Sequence, residues 1–129
     1  MTQRFSVAGK RILITGASSG FGAHFATALA EEGADVVLAA RRVEKLEDTA
    51  KAVRALGREA IVVPMDVSDH ASVEAAFADM PPLDVVVNNA GISQEGPTEN
   101  IPEEEWDRVV DTNLKGVWAV SKFAIQQWK

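Results

Sequence analysis

The sequence predicts an α/β fold, a doubly wound parallel sheet with strand order 3-2-1-4. Three observations carry this. Short apolar runs alternate with segments of helical period along the whole chain. The runs "RILIT", "DVVLAA" and "AIVVP" are continuously apolar rather than alternating, as in strands covered on both faces. The first run turns into the first helical segment through three glycines, Gly16, Gly20 and Gly22. Parallel strands joined by helices cross over right-handedly. With four strands, the strand order reverses between the first and the fourth, and ligands bind outside the carboxyl ends of strands at such a point.

"RILIT" (Arg11 to Thr15) is a β-branched run ending at glycine, a buried strand. Helical spacing follows in Phe25, Leu29 and Ala30 and stops near Gly33, a suitable C-cap. "DVVLAA" (Asp35 to Ala40) reads as the second strand. Val43, Leu46, Ala50, Val53 and Leu56 recur at three or four residues, a helix stopped by Gly57. "AIVVPMDV" is the third strand, with a proline near its end. Ser68 or Asp69 can cap the helix that carries Val73, Ala76 and Phe77. Pro81 and Pro82 then break the chain, and "LDVVVNNAG" is a fourth strand running into a turn. A polar loop from Gly91 to Ile101 contains Gly96 and Pro97. From Pro102 a helical pattern runs to about Trp128, opening on the solvated acidic turn Glu103 to Glu105. Val117, Val120, Ala124 and Trp128 lie near one face of it, widened by Leu114, Trp118 and Ile125, which predicts self-association through this helix.

A chain of 129 residues is long enough for one domain with a real core, so residues 1–129 are read as a single domain. Apolar residues at 47% and charged residues at 25% are those of a globular protein. A net charge of −6 argues against a nucleic-acid partner. The absence of cysteine excludes disulfides and thiolate metal sites, and no metal site is predicted. "MTQRFSVAGKR" lacks the apolar core of a signal peptide, and no run approaches membrane-spanning length, so a cytoplasmic protein without a membrane partner is expected.

At the glycine turn, positions without a Cβ let a pyrophosphate approach the backbone, and the helix that follows offers unpaired N–H groups and a positive dipole end. Gly16 suits the tight turn, Gly20 the phosphate approach and Gly22 close packing of helix on strand. The spacing is T-G-x-x-x-G-x-G, and "TGASSGFG" resembles the short-chain dehydrogenase/reductase family. Three further stretches fit in order and spacing: "MDVSD" from Met65, "NNAG" from Asn88 and "DTNLKG" around Asn113. The resemblance covers essentially the whole chain. It implies the cofactor-binding half of a Rossmann-like NAD(P) fold, truncated relative to the full family fold. It assigns cofactor contacts to Gly16, Ser18, Ser19, Gly20, Phe21 and Gly22, to Asp66 and Val67 beside the adenine, and to Asn88, Ala90 and Gly91 along the adenosine side. Phe21 departs from the aliphatic residue more usual there, without disturbing the glycines. Asn89 is expected to be structural. Asn113 matches the family's catalytic asparagine, and the family's disruption of its helix there predicts an irregular turn within residues 111–116. His24 and His70 match no family position, and Trp106, Trp118, Phe123 and Trp128 are read as packing residues.

The second strand ends Ala39-Ala40-Arg41-Arg42, where an acid would hold the ribose 2′-hydroxyl of NAD. Two arginines stand there instead, and a guanidinium fork suits a 2′-phosphate. NADP(H) is therefore expected over NAD(H), with Arg41 on the phosphate and Arg42 stacking or helping. The family's proton-transferring tyrosine, its lysine four residues on and its upstream serine would fall beyond Lys129, and the chain contains no tyrosine. Ser121 and Lys122 match no catalytic position. Two functions remain open. One is the cofactor half of an enzyme moving a hydride between NADP(H) and an alcohol or carbonyl substrate. The other is a dinucleotide-binding fragment without catalysis.

Overall fold

A computed structural model describes residues 4–129. Its centre is β1 (Arg11–Thr15), whose residues Ile12 to Thr15 are fully buried. β2 (Asp35–Ala40) pairs with it on one side and β4 (Val85–Val87) on the other, while β3 (Ala60–Pro64) pairs with the far edge of β2. All pairings are parallel and the order is β3-β2-β1-β4. Leu13 stands in register between Val37 and Val86. The predicted order and the continuous apolar strands agree with this sheet.

Successive strand residues face opposite sides, which divides the core in two. Ile12, Ile14, Val36 and Leu38 pack on one side against α1 (Gly20–Glu31) and α2 (Val43–Ala55), meeting Ala26, Ala30, Leu46, Ala50 and Val53. Leu13, Val37 and Ala39 pack on the other against Val73 of α3 (His70–Ala78) and Ala119 and Val120 of α5 (Gly116–Trp128). Full burial of a Leu, Ile or Val side chain contributes roughly 1.5–3 kcal/mol, so these two layers fix the sheet between its helices.

Some details differ from the sequence reading. The inward row of α1 is Gly22, Ala26 and Ala30, while Phe25 is half-exposed and stacks on Phe21, ring centroids 6.1 Å apart. The backbone of α1 comes too close to the sheet for an aromatic ring. Val43 and Leu56, at the two ends of the α2 pattern, overhang the core and are partly exposed. β3 ends at Pro64 rather than Val67, because Asp66 turns the chain: its Oδ1 accepts both the amide of Ser68, at 3.0 Å, and its hydroxyl, at 2.6 Å. Asp69, not Ser68, caps α3, accepting from the Ala71 amide at 3.1 Å.

The C-terminal helical stretch has three parts. α4 (Glu103–Val110) leads into a π-helical turn, Asp111–Lys115, and then into α5. The irregular turn expected within residues 111–116 is present. The apolar residues of α5 divide between two faces rather than sharing one. Gly116, Ala119, Val120 and Ala124 are buried, whereas Val117, Trp118, Ile125 and Trp128 are exposed, as is Leu114 just before them. Trp128 also ties the helix end down, its indole N–H donating to the Leu83 carbonyl at 2.7 Å. His70 is partly buried between the rings of Trp118 and Phe123, with Lys122 Nζ 3.1 Å from its Nε2, while His24 is exposed. A short 3₁₀ turn, Thr98–Asn100, interrupts the polar loop. Among the described residues, no helix is long and apolar enough to cross a membrane.

Candidate functional site

The carboxyl ends of β1 and β4 are joined by Thr15 and Asn89. The buried Thr15 hydroxyl accepts the amides of Asn89 and Ala90, each at 3.0 Å. The Asn89 side-chain amide donates back to the carbonyls of Thr15, at 3.1 Å, and Gly16, at 3.2 Å. Asn89 is structural as expected. Thr15 was visible in the sequence only as the last residue of a strand, although a hydroxyl at the end of a buried strand is itself a sign of a bonded turn.

This junction dictates the glycines. Gly16 has φ +64°, and a Cβ on it would lie 2.8 Å from Ala90 Cα. A Cβ on Gly22 would lie 2.2 Å from the Gly16 carbonyl oxygen, so only glycine lets α1 approach the turn this closely. Gly20 is different: nothing lies within 4 Å of where its Cβ would be, so its bare backbone faces open space. The N-terminus of α1 has no side-chain cap, since Ser19 accepts no bond from it. Its first amides are therefore available to an acceptor from outside the chain.

A cleft of about 410 Å³ opens over this turn, at the point where strand order reverses. Gly16, Ser18, Ser19 and Phe21 line it from the turn, and Ala39 to Arg42 from the end of β2. Met65 to Ser68 form a third wall and Asn89 to Ile92 a fourth. Arg108 and Thr112 close the side nearest α4. Arg41 and Arg42 are exposed and make no ion pair among the described residues. Most of the residues singled out from sequence thus share one cavity. Gly20 and Gly22 shape its floor without lining it. Asn88 does not line it, and its amide instead donates to the Ser121 hydroxyl at 3.2 Å. Asn113 also lies outside it. Both ends of its amide are engaged by one residue: Oδ1 accepts the Ile92 amide at 2.8 Å and Nδ2 donates to the Ile92 carbonyl at 2.7 Å.

Arg108 was not singled out from sequence. Its Nε and Nη2 donate to the two Glu105 oxygens, each at 3.0 Å. These hydrogen bonds hold the Glu105 carboxyl below the usual carboxylate range and raise Arg108 above its ordinary value. The pair is therefore ionised at neutral pH, and what it contributes is lost only as pH falls through the lowered pKa of Glu105. No group of three or more His, Cys, Asp or Glu among the described residues could hold a metal ion.

The model of the short chain dehydrogenase family matches residues 10–129. The chain belongs to this family. It is 38% identical over 122 residues to gluconate 5-dehydrogenase of Gluconobacter oxydans, an alignment covering 92% of this chain and 48% of that protein. Among solved structures it is similar to a short-chain type dehydrogenase/reductase from Mycobacterium marinum, with TM-score 0.90, 36% identity, and coverage of 95% of this chain and 50% of that one. A metagenomic short-chain oxidoreductase in complex with NADP has TM-score 0.87 and 35% identity, covering 95% of this chain and 58% of its own. The chain spans about half the length of the curated relatives it matches. A short-chain dehydrogenase of this family is an oxidoreductase that binds NAD(P).

Proposed function

We propose that this chain is the cofactor-binding half of an NADP-preferring oxidoreductase that moves a hydride between the nicotinamide and an alcohol or carbonyl group. The observation that carries the preference is the end of β2: the strand closes on Ala39 and Ala40 without an acid, and Arg41 and Arg42 open onto the cleft with no ion pair among the described residues. An arginine fork matches a phosphate, whereas a ribose diol calls for an acceptor. The solved relative bound to NADP supports the same reading.

In this reading the 129 residues act as one dinucleotide-binding domain. The open backbone at Gly20 and the uncapped amides of α1 hold the pyrophosphate, with Gly16, Ser18, Ser19, Phe21 and Gly22 forming the turn around it. Arg41 holds the 2′-phosphate, with Arg42 beside it. Asp66 and Val67 take the adenine side, and Ala90 and Gly91 face them from the turn after β4. The bound cofactor supplies or accepts the hydride. Asn113 acts as a positioning residue, since its amide fixes Ile92 and with it the loop after β4. Proton transfer on the substrate oxygen needs a tuned acid such as a tyrosine beside a lysine. This sequence has no tyrosine, so we assign that step to the remainder of a full-length protein and expect these 129 residues to bind cofactor without turnover. A cytoplasmic setting fits this chemistry.

Calorimetric titration of NADP and NAD into the chain and into Arg41→Ala tests the assignment. NADP is expected to bind more tightly. Arg41→Ala is expected to lose about tenfold to a hundredfold of NADP affinity and little for NAD, the scale of a charged hydrogen bond. Equal affinity of the unmutated chain for both would end the phosphate assignment.

A further inference from the structure

Arg108 stands in the cleft wall, yet none of the family's motifs accounts for it. Its place follows from the packing below it. A Cβ on Gly116 would lie 2.9 Å from Val67 Cγ2, so the start of α5 rests directly on the segment that turns at Asp66. Arg108 lies eight residues back, roughly 12 Å along the helical path at 1.5 Å per residue, and lines the same cleft as Met65 to Ser68. Thr112, between them, lines the cleft too.

The guanidinium is also held in one orientation. Glu105 takes its Nε and Nη2 in a two-bond fork. What remains for a ligand is Nη1, the second N–H of Nη2 and the two flat faces. A carboxylate this close offsets the positive charge and disfavours a phosphate at the same place. A planar, weakly hydrated cation held flat suits an aromatic ring instead.

We propose that Arg108, fixed by Glu105, is a stacking platform for the nucleobase of the bound dinucleotide. The proposal rests on the dinucleotide reading of the cleft and adds a specificity-determining residue to its adenosine side.

Four ligands are titrated into the chain, Arg108→Ala and Arg108→Lys by calorimetry: NADP, NAD, AMP and nicotinamide mononucleotide. Arg108 is exposed, and a thermal melt of each variant verifies that it is folded. Arg108→Ala is expected to weaken NADP, NAD and AMP by one common factor of about three to ten, and to leave nicotinamide mononucleotide unchanged. Arg108→Lys keeps the charge but not the plane, and is expected to behave like the alanine variant. Unchanged affinities in Arg108→Ala, or a loss confined to NADP and restored by lysine, would overturn the platform alone. An unmutated chain that binds neither NADP nor NAD would overturn the cleft reading and the platform together.

Discussion

The turn after β1 is tightly packed, and single atoms decide it. Gly16, Gly22, Thr15 and Asn89 share one small volume in which two side-chain groups satisfy four backbone groups. A methyl at position 22 has no room, because its nearest neighbours are the backbone of Gly16 at 2.2 Å and the Asn89 amide at 2.6 Å. Gly22→Ala is therefore expected to destabilise the fold by about 3 kcal/mol or more, the upper range for overpacking. Urea unfolding with an unchanged slope would measure it. Gly20→Ala provides the contrast: its Cβ meets nothing, so its cost comes from the backbone, at φ +57°. The pair separates a glycine required by packing from one required by conformation. All three glycines were legible as a motif, because the motif records where packing or a positive φ disfavours a side chain. Arg108 was not, because an arginine on an amphipathic helix is ordinary until packing aims it.

At the scale of the element, the widened turn Asp111–Lys115 is what joins the last helices to the site. It puts Asn113 beside Ile92 and delivers Gly116 onto Val67. Two hydrogen bonds from one side chain then hold a loop that has no strand partner of its own. Asn113→Ala is expected to speed exchange of the Ile92 amide by about tenfold or more, at one to two kcal/mol of local opening, with little change at the buried amides of β1. Hydrogen exchange read by NMR or mass spectrometry measures this, and an unchanged Ile92 region would show that the loop is held by something else. The existence of the turn was foreseeable from "DTNLKG". Its partner was not, since Ile92 lies 21 residues away in a loop without periodicity.

At the scale of the whole molecule, the outer face of α5 is only partly covered, Trp118 by the ring of His70 and Trp128 by its bond to Leu83. Val117, Trp118, Ile125 and Trp128 expose apolar surface next to Leu114. Apolar surface gathered on one face favours association. We propose that the chain forms a dimer or larger species through this helix. Ile125→Glu places a charge in the middle of that face without touching the buried row Gly116, Ala119, Val120 and Ala124. It is expected to shift the mass measured by light scattering toward the monomer. A chain that is already monomeric at high concentration would contradict the proposal.

Strand order, the two-sided core and the glycine turn were determined by the sequence alone. Each follows from local rules: continuous apolar runs, helical period, and positions that exclude a side chain. The end of β3 and the start of α3 needed the structure, because only the folded chain shows that Asp66 takes the Ser68 amide and Asp69 the Ala71 amide. The inward row of α1 needed it too. Periodicity puts Phe25 with Leu29 and Ala30, but beneath the helix lie Ala26 and Ala30 with Leu29 packed partly against them, while Phe25 is turned outward. The same holds at the cleft. Residues adjacent in sequence could be read as motifs, while the meeting of Arg108 with the wall around Asp66, and of Asn113 with Ile92, depends on packing between segments far apart in the chain, which no local pattern encodes.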